Sequence, residues 1–547
     1  MKNEGRSLMR GVTRFGICWI VATVVIANPG CRKRDAQSSS EKTSATVGET
    51  SETNIYVDLD SRRPAQKLSE YGLFQDLMNQ TPAAGVVPYE LNVTSFVDHA
   101  TPQNFIYIPP GQAATFQAGS PFDFPVGTIL VQNICFPHDA GDPSKGYQVV
   151  ETRLLIHKNF GWTGVPYLWN KDKSDADRAV IGGRTEITLV GKDGQSQTFP
   201  YHTPDMNQCK RCHTNEELTV PIGATARNLN RTIQTAEGEI NQLDHWRGLG
   251  LLDGIPDDRD SIAKLPDWRD ANHASVAERS RAWLDANCAH CHSPGGPAIV
   301  SGLDLSFDQA QLIRFGVYKP PVAAGRGSAG LRFSILPGEP DQSFLLHRVG
   351  STELGVMMPP LGRSLPDGEA AELLSQWIKE MQVDETLAEA ALNPTEAYKD
   401  AVSGGDAERG KTLFHKTQKC TNCHRIGNEG GEVGPNLSDV GKRTKPDYLL
   451  ESVVDPSAQI AKEFQTEVVI TDDGLTLAGV VISEDQYEVV IADSTNTIHR
   501  ITKEEIDERQ TSEVSTMPSL ANVLTVDQVR DLIAYLVTLQ EPPDNGN

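Results

Sequence analysis

The chain reads as a multidomain α+β protein: an N-terminal β-rich domain, then two mainly helical domains, the last interrupted by a small antiparallel β-insert. Three observations predict this. At 547 residues the chain can hold several cores, since a single domain usually runs to roughly 100–200 residues. Residues 86–201 are rich in Gly, Pro and short alternating runs (TILVQNI, ETRLLIH, EITLVG), the pattern of half-buried strands. Two segments, Gly368 to Met381 and Val526 to Leu539, carry apolar residues at helical spacing late in each of the following domains.

In chain order, residues 1–30 read as an export signal. Arg6, Arg10 and Arg14 flank the start of an apolar run, Phe15 to Ala27, that is shorter than the ~20 residues a membrane-spanning helix needs. Cys31 behind Gly30 resembles a bacterial lipoprotein cleavage site, which would make the protein periplasmic or bound to the cell envelope through a lipid on Cys31. Residues 31–65 have few large apolar side chains and read as a disordered tether. The β-rich domain follows at 66–260, a helical domain at 270–385, a linker at 386–403 and the last domain at 404–540. Within the last, VVITDDGLTLAGVVISEDQYEVVIAD alternates between turns and reads as the β-insert.

The net charge of −23, with no basic run beyond residue 34, excludes nucleic acid as an expected partner and favours basic protein surfaces. The G-x-S-x-G signature of serine hydrolases is absent from the sequence.

Six of the nine cysteines lie in three CxxCH motifs: Cys209/Cys212 with His213, Cys288/Cys291 with His292, and Cys420/Cys423 with His424. Cys18 lies in the signal and Cys31 at its end, so only Cys135 is left over and no ordinary disulfide framework is expected. Two thiols at this spacing meet the two vinyl groups of one porphyrin, and the histidine behind them reaches the iron; the spacing predicts covalent haem c, three per chain. Zinc would call for a second CxxC after roughly 15–20 residues, whereas the next motif lies 79 positions beyond Cys209. Thioredoxin-like chemistry requires no trailing histidine.

Helical patterns precede the last two motifs (SVAERSRAWLDAN and GDAERGKTLFHKTQK), and Met358-Pro359 and Met517-Pro518 follow them, each ahead of an amphipathic helix. This order resembles a class I cytochrome c domain. The resemblance implies His292 and His424 as proximal ligands, with Met358 and Met517 on the far side of the iron and Met357 as the alternative to Met358. The run CTNCHRIGNEGGEVGPNLSDVGKRTKPDYLLESVVDPSAQIAKEF, with STMPSLANVLTVDQVRDLIAYL after the insert, resembles the C-terminal haem-binding domain widespread in planctomycete proteins. In cytochromes c the loop corresponding to Gly434-Pro435-Asn436-Leu437 supports the proximal histidine through a backbone carbonyl. Residues 66–381, with NQCKRCH, PIGATARNLNR, NCAHCH and MMPPLGRSL in that order, resemble a family of exported bacterial dihaem c-type cytochromes of unassigned role.

The first motif stands apart, because YHTPDMNQ ahead of CKRCH contains a proline and no apolar period. His213 is the expected proximal ligand; His245, His157, His202 and Met206 are the distal candidates. The composite reading is an electron carrier between redox partners, without a catalytic residue. The alternatives are a peroxidase-like haem oxidoreductase with an open first haem, and a β-rich binding module with accessory cytochromes.

Overall fold

The computed structural model describes residues 55–541, except 193, 323–325, 384, 473–474, 495 and 522. The signal peptide, Cys31 and the tether as far as residue 54 lie outside the described residues. From Ile55 onward the chain packs against the first core through Ile55, Val57 and Ala65. Lys158 also ties it down by donating to the Ser61 carbonyl at 2.7 Å.

The β-rich region is a six-stranded antiparallel meander: β1 (Val86–Tyr89), β2 (Thr101–Tyr107), β3 (Ile129–Pro137), β4 (Tyr147–Lys158), β5 (Gly161–Trp169) and β6 (Ala176–Arg178), in that spatial order. Both faces of this sheet are buried, so its central strands are apolar on successive residues. Leu130 and Leu155 face one core with Trp246, while Val131 and Leu154 face the other with Tyr167. A hairpin, β7 (Gly183–Val190) and β8 (Ser196–Thr203), packs at one end through Ile187, Phe199 and Tyr201.

The first CxxCH is itself a helix, α1 (Met206–His213). Pro204 lies ahead of it, and the Asp205 carboxylate caps it by accepting from the amides of Asn207 and Gln208, both at 2.7 Å. The segment around Trp246 forms α2 (Gln242–Gly248), capped by Asn241.

A second core, built on Trp283, Phe315, Ile335, Leu374 and Trp377, packs α3 (Val276–Leu284) against α4 (Gly368–Glu380). The Trp283 indole donates to the Asp367 carboxylate at 3.1 Å, and the same carboxylate caps α4. The segment read as a linker forms two short helices, Glu385–Leu392 and Pro394–Ala397, and buries Ala390, Tyr398 and Ala401 in the last core.

That core packs α5 (Ala407–Thr412) and α6 (Pro446–Val454) against α7 (Val526–Thr538), through Phe414, Leu450, Leu532 and Leu536. Helices α5 and α7 cross backbone to backbone at Gly410, where a Cβ would stand 2.0 Å from the Asp531 carbonyl oxygen. Between α6 and α7 the insert is a five-stranded antiparallel sheet, β9 (Thr466–Thr471), β10 (Thr476–Glu484), β11 (Glu488–Ala492), β12 (Ile498–Thr502) and β13 (Ile506–Ser512), in the order β12-β11-β10-β9-β13. Among the described residues no helix is long and apolar enough to cross a membrane.

Candidate haem-binding sites

Local geometry at the last two motifs is nearly the same. Helices α3 and α5 each widen into a π-helical turn, Asp285–Ala289 and Leu413–Thr417, just ahead of or running into the first cysteine. One helical turn then carries the chain from first cysteine to histidine: the His292 amide donates to the Cys288 carbonyl at 2.8 Å and the His424 amide to the Cys420 carbonyl at 2.9 Å. Two thiols and one imidazole thereby share a single turn. At the first motif α1 supplies that turn.

The three imidazoles are oriented alike. His213 Nδ1 donates to the Val220 carbonyl at 2.8 Å, and His424 Nδ1 to the Pro435 carbonyl at 2.9 Å, the carbonyl of the Gly434–Leu437 loop. His292 Nδ1 lies 2.8 Å from the Ser301 hydroxyl. That hydroxyl gives its own proton to the Ala298 carbonyl at 2.7 Å, so it accepts from the imidazole. In each case the proton sits on Nδ1 and the Nε2 lone pair is available to a metal. Burial lowers the pKa of all three rings, that of His292 to about 4, so each is neutral at pH 7. Close approach at His424 requires a glycine: a Cβ on Gly434 would stand 2.8 Å from the ring Cε1.

Burial also pushes the Cys209 and Cys288 thiols up to about 12 and Cys420 to about 11, so these are protonated thiols and not preformed thiolate ligands. At the last motif, neutral thiols beside an imidazole with a free Nε2 fit covalent haem better than a thiolate zinc site; at the first, a hydrogen bond with Cys291 holds the Cys212 thiol well below its usual range.

Met358 and Met517 lie in the loops ahead of α4 and α7, and both are half-buried. Met358 is held through its backbone, its amide donating to the Arg348 carbonyl and its own carbonyl accepting from Arg363, each at 2.9 Å. Met357, the alternative, is buried.

The distal candidates at the first site separate by position. His202 is exposed on β8, and His245 is half-buried on α2. Met206 packs into the core on the Tyr167 face of the sheet. His157 on β4 is register partner to Trp162 on β5, two residues along from the Leu155–Gly164 pair. A Cβ on Gly164 would lie 3.0 Å from the Cys209 Cβ, so side-chain alternation puts His157 on the sheet face that meets the first motif. Its Nδ1 is paired with the Phe124 carbonyl at 2.8 Å, and its ring stacks on Trp162 with centroids 4.5 Å apart.

Two features escape motif reading. Lys319 and Arg348 are half-buried cations whose fields reach His292, and among the described residues neither is ion-paired; burial lowers them to about 8 and about 10. Beside Cys209, Arg153 pairs at 2.9 Å with Glu151, a fully buried carboxylate, and donates to the Tyr201 hydroxyl at 3.0 Å.

Residues 407–471 match the family model described as cytochrome c. The C-terminal region therefore contains a cytochrome c domain. Such a domain implies covalently bound haem c and haem-based electron transfer. The match begins at α5, takes in Cys420, Cys423, His424 and the Gly434–Leu437 loop, and ends at Thr471, the last residue of β9. Met517 and α7 lie beyond the match, after the remaining insert strands. No curated protein matches the chain.

Proposed function

We propose that the chain is a tri-haem c-type cytochrome that carries electrons between redox partners. The observation that carries this reading is the repetition of one arrangement three times: paired thiols, and a half-buried neutral imidazole whose Nδ1–H is engaged while its Nε2 is left for iron. Bound haem c supplies an iron that cycles between ferrous and ferric states.

The residues of this chain do the rest. His213, His292 and His424 would hold the three irons through Nε2, and Met358 and Met517 would supply a thioether to the second and third. His157 is the best-placed distal residue for the first haem, since its Nδ1 is already engaged by the Phe124 carbonyl. Lys319 and Arg348 would meet the carboxylates of the second porphyrin, which accounts for two half-buried cations without a counter-ion among the described residues. Thioether ligation raises an iron's potential and fills its sixth position, which suits a carrier. Export to the periplasm or cell envelope, with a lipid on Cys31, belongs to the same proposal; the charge of −23 favours partners with a basic docking face.

A redox titration followed by visible absorption, repeated under carbon monoxide, tests the reading. A carrier shows three one-electron steps and no carbon monoxide adduct. An adduct at one haem per chain would favour the peroxidase-like alternative.

A further inference from the structure

The first and second CxxCH motifs meet. Cys212 Sγ, Cys291 Sγ and a ring nitrogen of His290 lie within 4.8 Å of one another, although 79 positions separate the two cysteines. Neither thiol is in a disulfide. The loops behind the motifs interlock in the same place. Glu216, three residues after His213, donates its amide to the carbonyl of Gly295, three residues after His292, at 2.9 Å. Gly295 has a φ of +84°, and a Cβ there would stand 2.7 Å from Asn215 Oδ1, so only glycine lets the loops close to this distance.

Resting on the tri-haem reading, we propose that Cys212 and Cys291 clamp the first two haems edge to edge, so that they act as one electronically coupled pair. In a c-type haem each cysteine sulfur is bonded to a vinyl-derived carbon, and that carbon to the porphyrin ring. Two single bonds of roughly 1.5–1.8 Å thus separate sulfur from ring, and two sulfurs within 4.8 Å of each other would hold the ring edges within about 12 Å. The constraint is covalent on both sides and does not depend on how either porphyrin tilts. An electron passed within the pair would leave the ferrous iron of one haem and reduce the ferric iron of the other, with no proton or co-reactant required.

Circular dichroism across the Soret band reads the coupling without any assay of activity. Intact mass first establishes three haems; a missing haem at Cys209 or Cys288, or zinc or a Cys212–Cys291 disulfide in its place, overturns the tri-haem reading and the pair with it. With three haems present, the wild-type protein should give a two-signed Soret couplet. Cys420→Ser/Cys423→Ser, which removes the third haem, should keep the couplet, and Cys209→Ser/Cys212→Ser should abolish it. Gly295→Val keeps every attachment site while wedging the loops apart, and should weaken the couplet at unchanged haem count; it decides the matter if the double variant fails to fold. Three haems with a Soret spectrum that is the plain sum of single-haem signals, or a couplet that vanishes with the third haem and not the first, would overturn the pair.

Discussion

The Ser494 hydroxyl, in the turn after β11, donates to the Val300 carbonyl at 3.1 Å. Val300 is the neighbour of Ser301, whose hydroxyl holds His292 Nδ1, and Asp493, the neighbour of Ser494, lies close enough to act on the Cys423 thiol. The insert thus bridges the proximal loop of the second site and the attachment turn of the third. Arg326 adds an ion pair across the same seam, to Glu508 on β13 at 2.7 Å. The insert's place in the fold is between the second and third CxxCH motifs.

On the tri-haem proposal, Ser301 tunes His292 as the second proximal ligand. A hydroxyl accepts the Nδ1 proton of His292, where backbone carbonyls serve His213 and His424. Replacing Ser301 by Ala removes that acceptor, makes the imidazole a poorer donor to iron, and should raise the second haem's potential. A lost hydrogen bond of about 1 kcal/mol corresponds to about 40 mV for one electron. Redox titration of S301A checks this; a potential that stays put or falls would mean the hydroxyl only positions the loop.

Gly434 faces a steric test. In G434A the added Cβ would meet Cε1 of His424 at 2.8 Å and Nδ1 at 2.9 Å, and a ring held on iron cannot yield freely. The variant should lose about 1–3 kcal/mol of stability, and the third haem's low-spin spectrum should weaken alone. Chemical denaturation followed at both the haem and the tryptophan bands separates the two effects.

Met517 is read as the distal ligand of the third haem. M517H should lower that haem's potential and remove its weak far-red band in the oxidised state, because imidazole favours ferric iron more than a thioether does. An unchanged band would place Met517 in the packing and not on the iron. The parallel variants Met357→Leu and Met358→Leu decide between adjacent sulfurs at the second site.

Asp531 on α7 accepts from Arg409 Nε at 2.7 Å and Nη2 at 3.0 Å and from the Asp406 amide at 2.7 Å, and the Arg409 hydrogen bonds hold its carboxyl below the usual range. A depressed carboxylate stabilises the fold above its unfolded value near 3.8, and that contribution is lost as pH falls through the folded value. D531N should therefore be less stable than wild type at pH 7, with the gap closing as the pH drops below about 4. Parallel urea unfolding curves at each pH measure the gap.

Much of the site was legible because covalent haem attachment fixes residue types at fixed spacing: the three CxxCH turns need no tertiary context to be recognised. The amphipathic helices α4 and α7 are legible for a similar reason, since each buries one stripe. Pro204 hid α1 from a periodicity reading, although Asp205 with Gln208 three residues later is a capping signal in the sequence. What periodicity could not yield is position across the fold. His157 shares a sheet face with Cys209 only through the β4–β5 register. Cys212 meets Cys291 only because the β-rich region and the second core close on one another. Lys319 and Arg348 carry no motif, and they become noticeable only as half-buried charges without a counter-ion among the described residues.

Haem stoichiometry tests the tri-haem proposal most directly. Intact mass of the protein matured in a host with a c-haem assembly system should equal the mature chain plus three haems, with peptides containing Cys209/Cys212, Cys288/Cys291 and Cys420/Cys423 each modified. A mass equal to the chain plus one haem confined to Cys420/Cys423, or free thiols or zinc at either of the other two motifs, would contradict it.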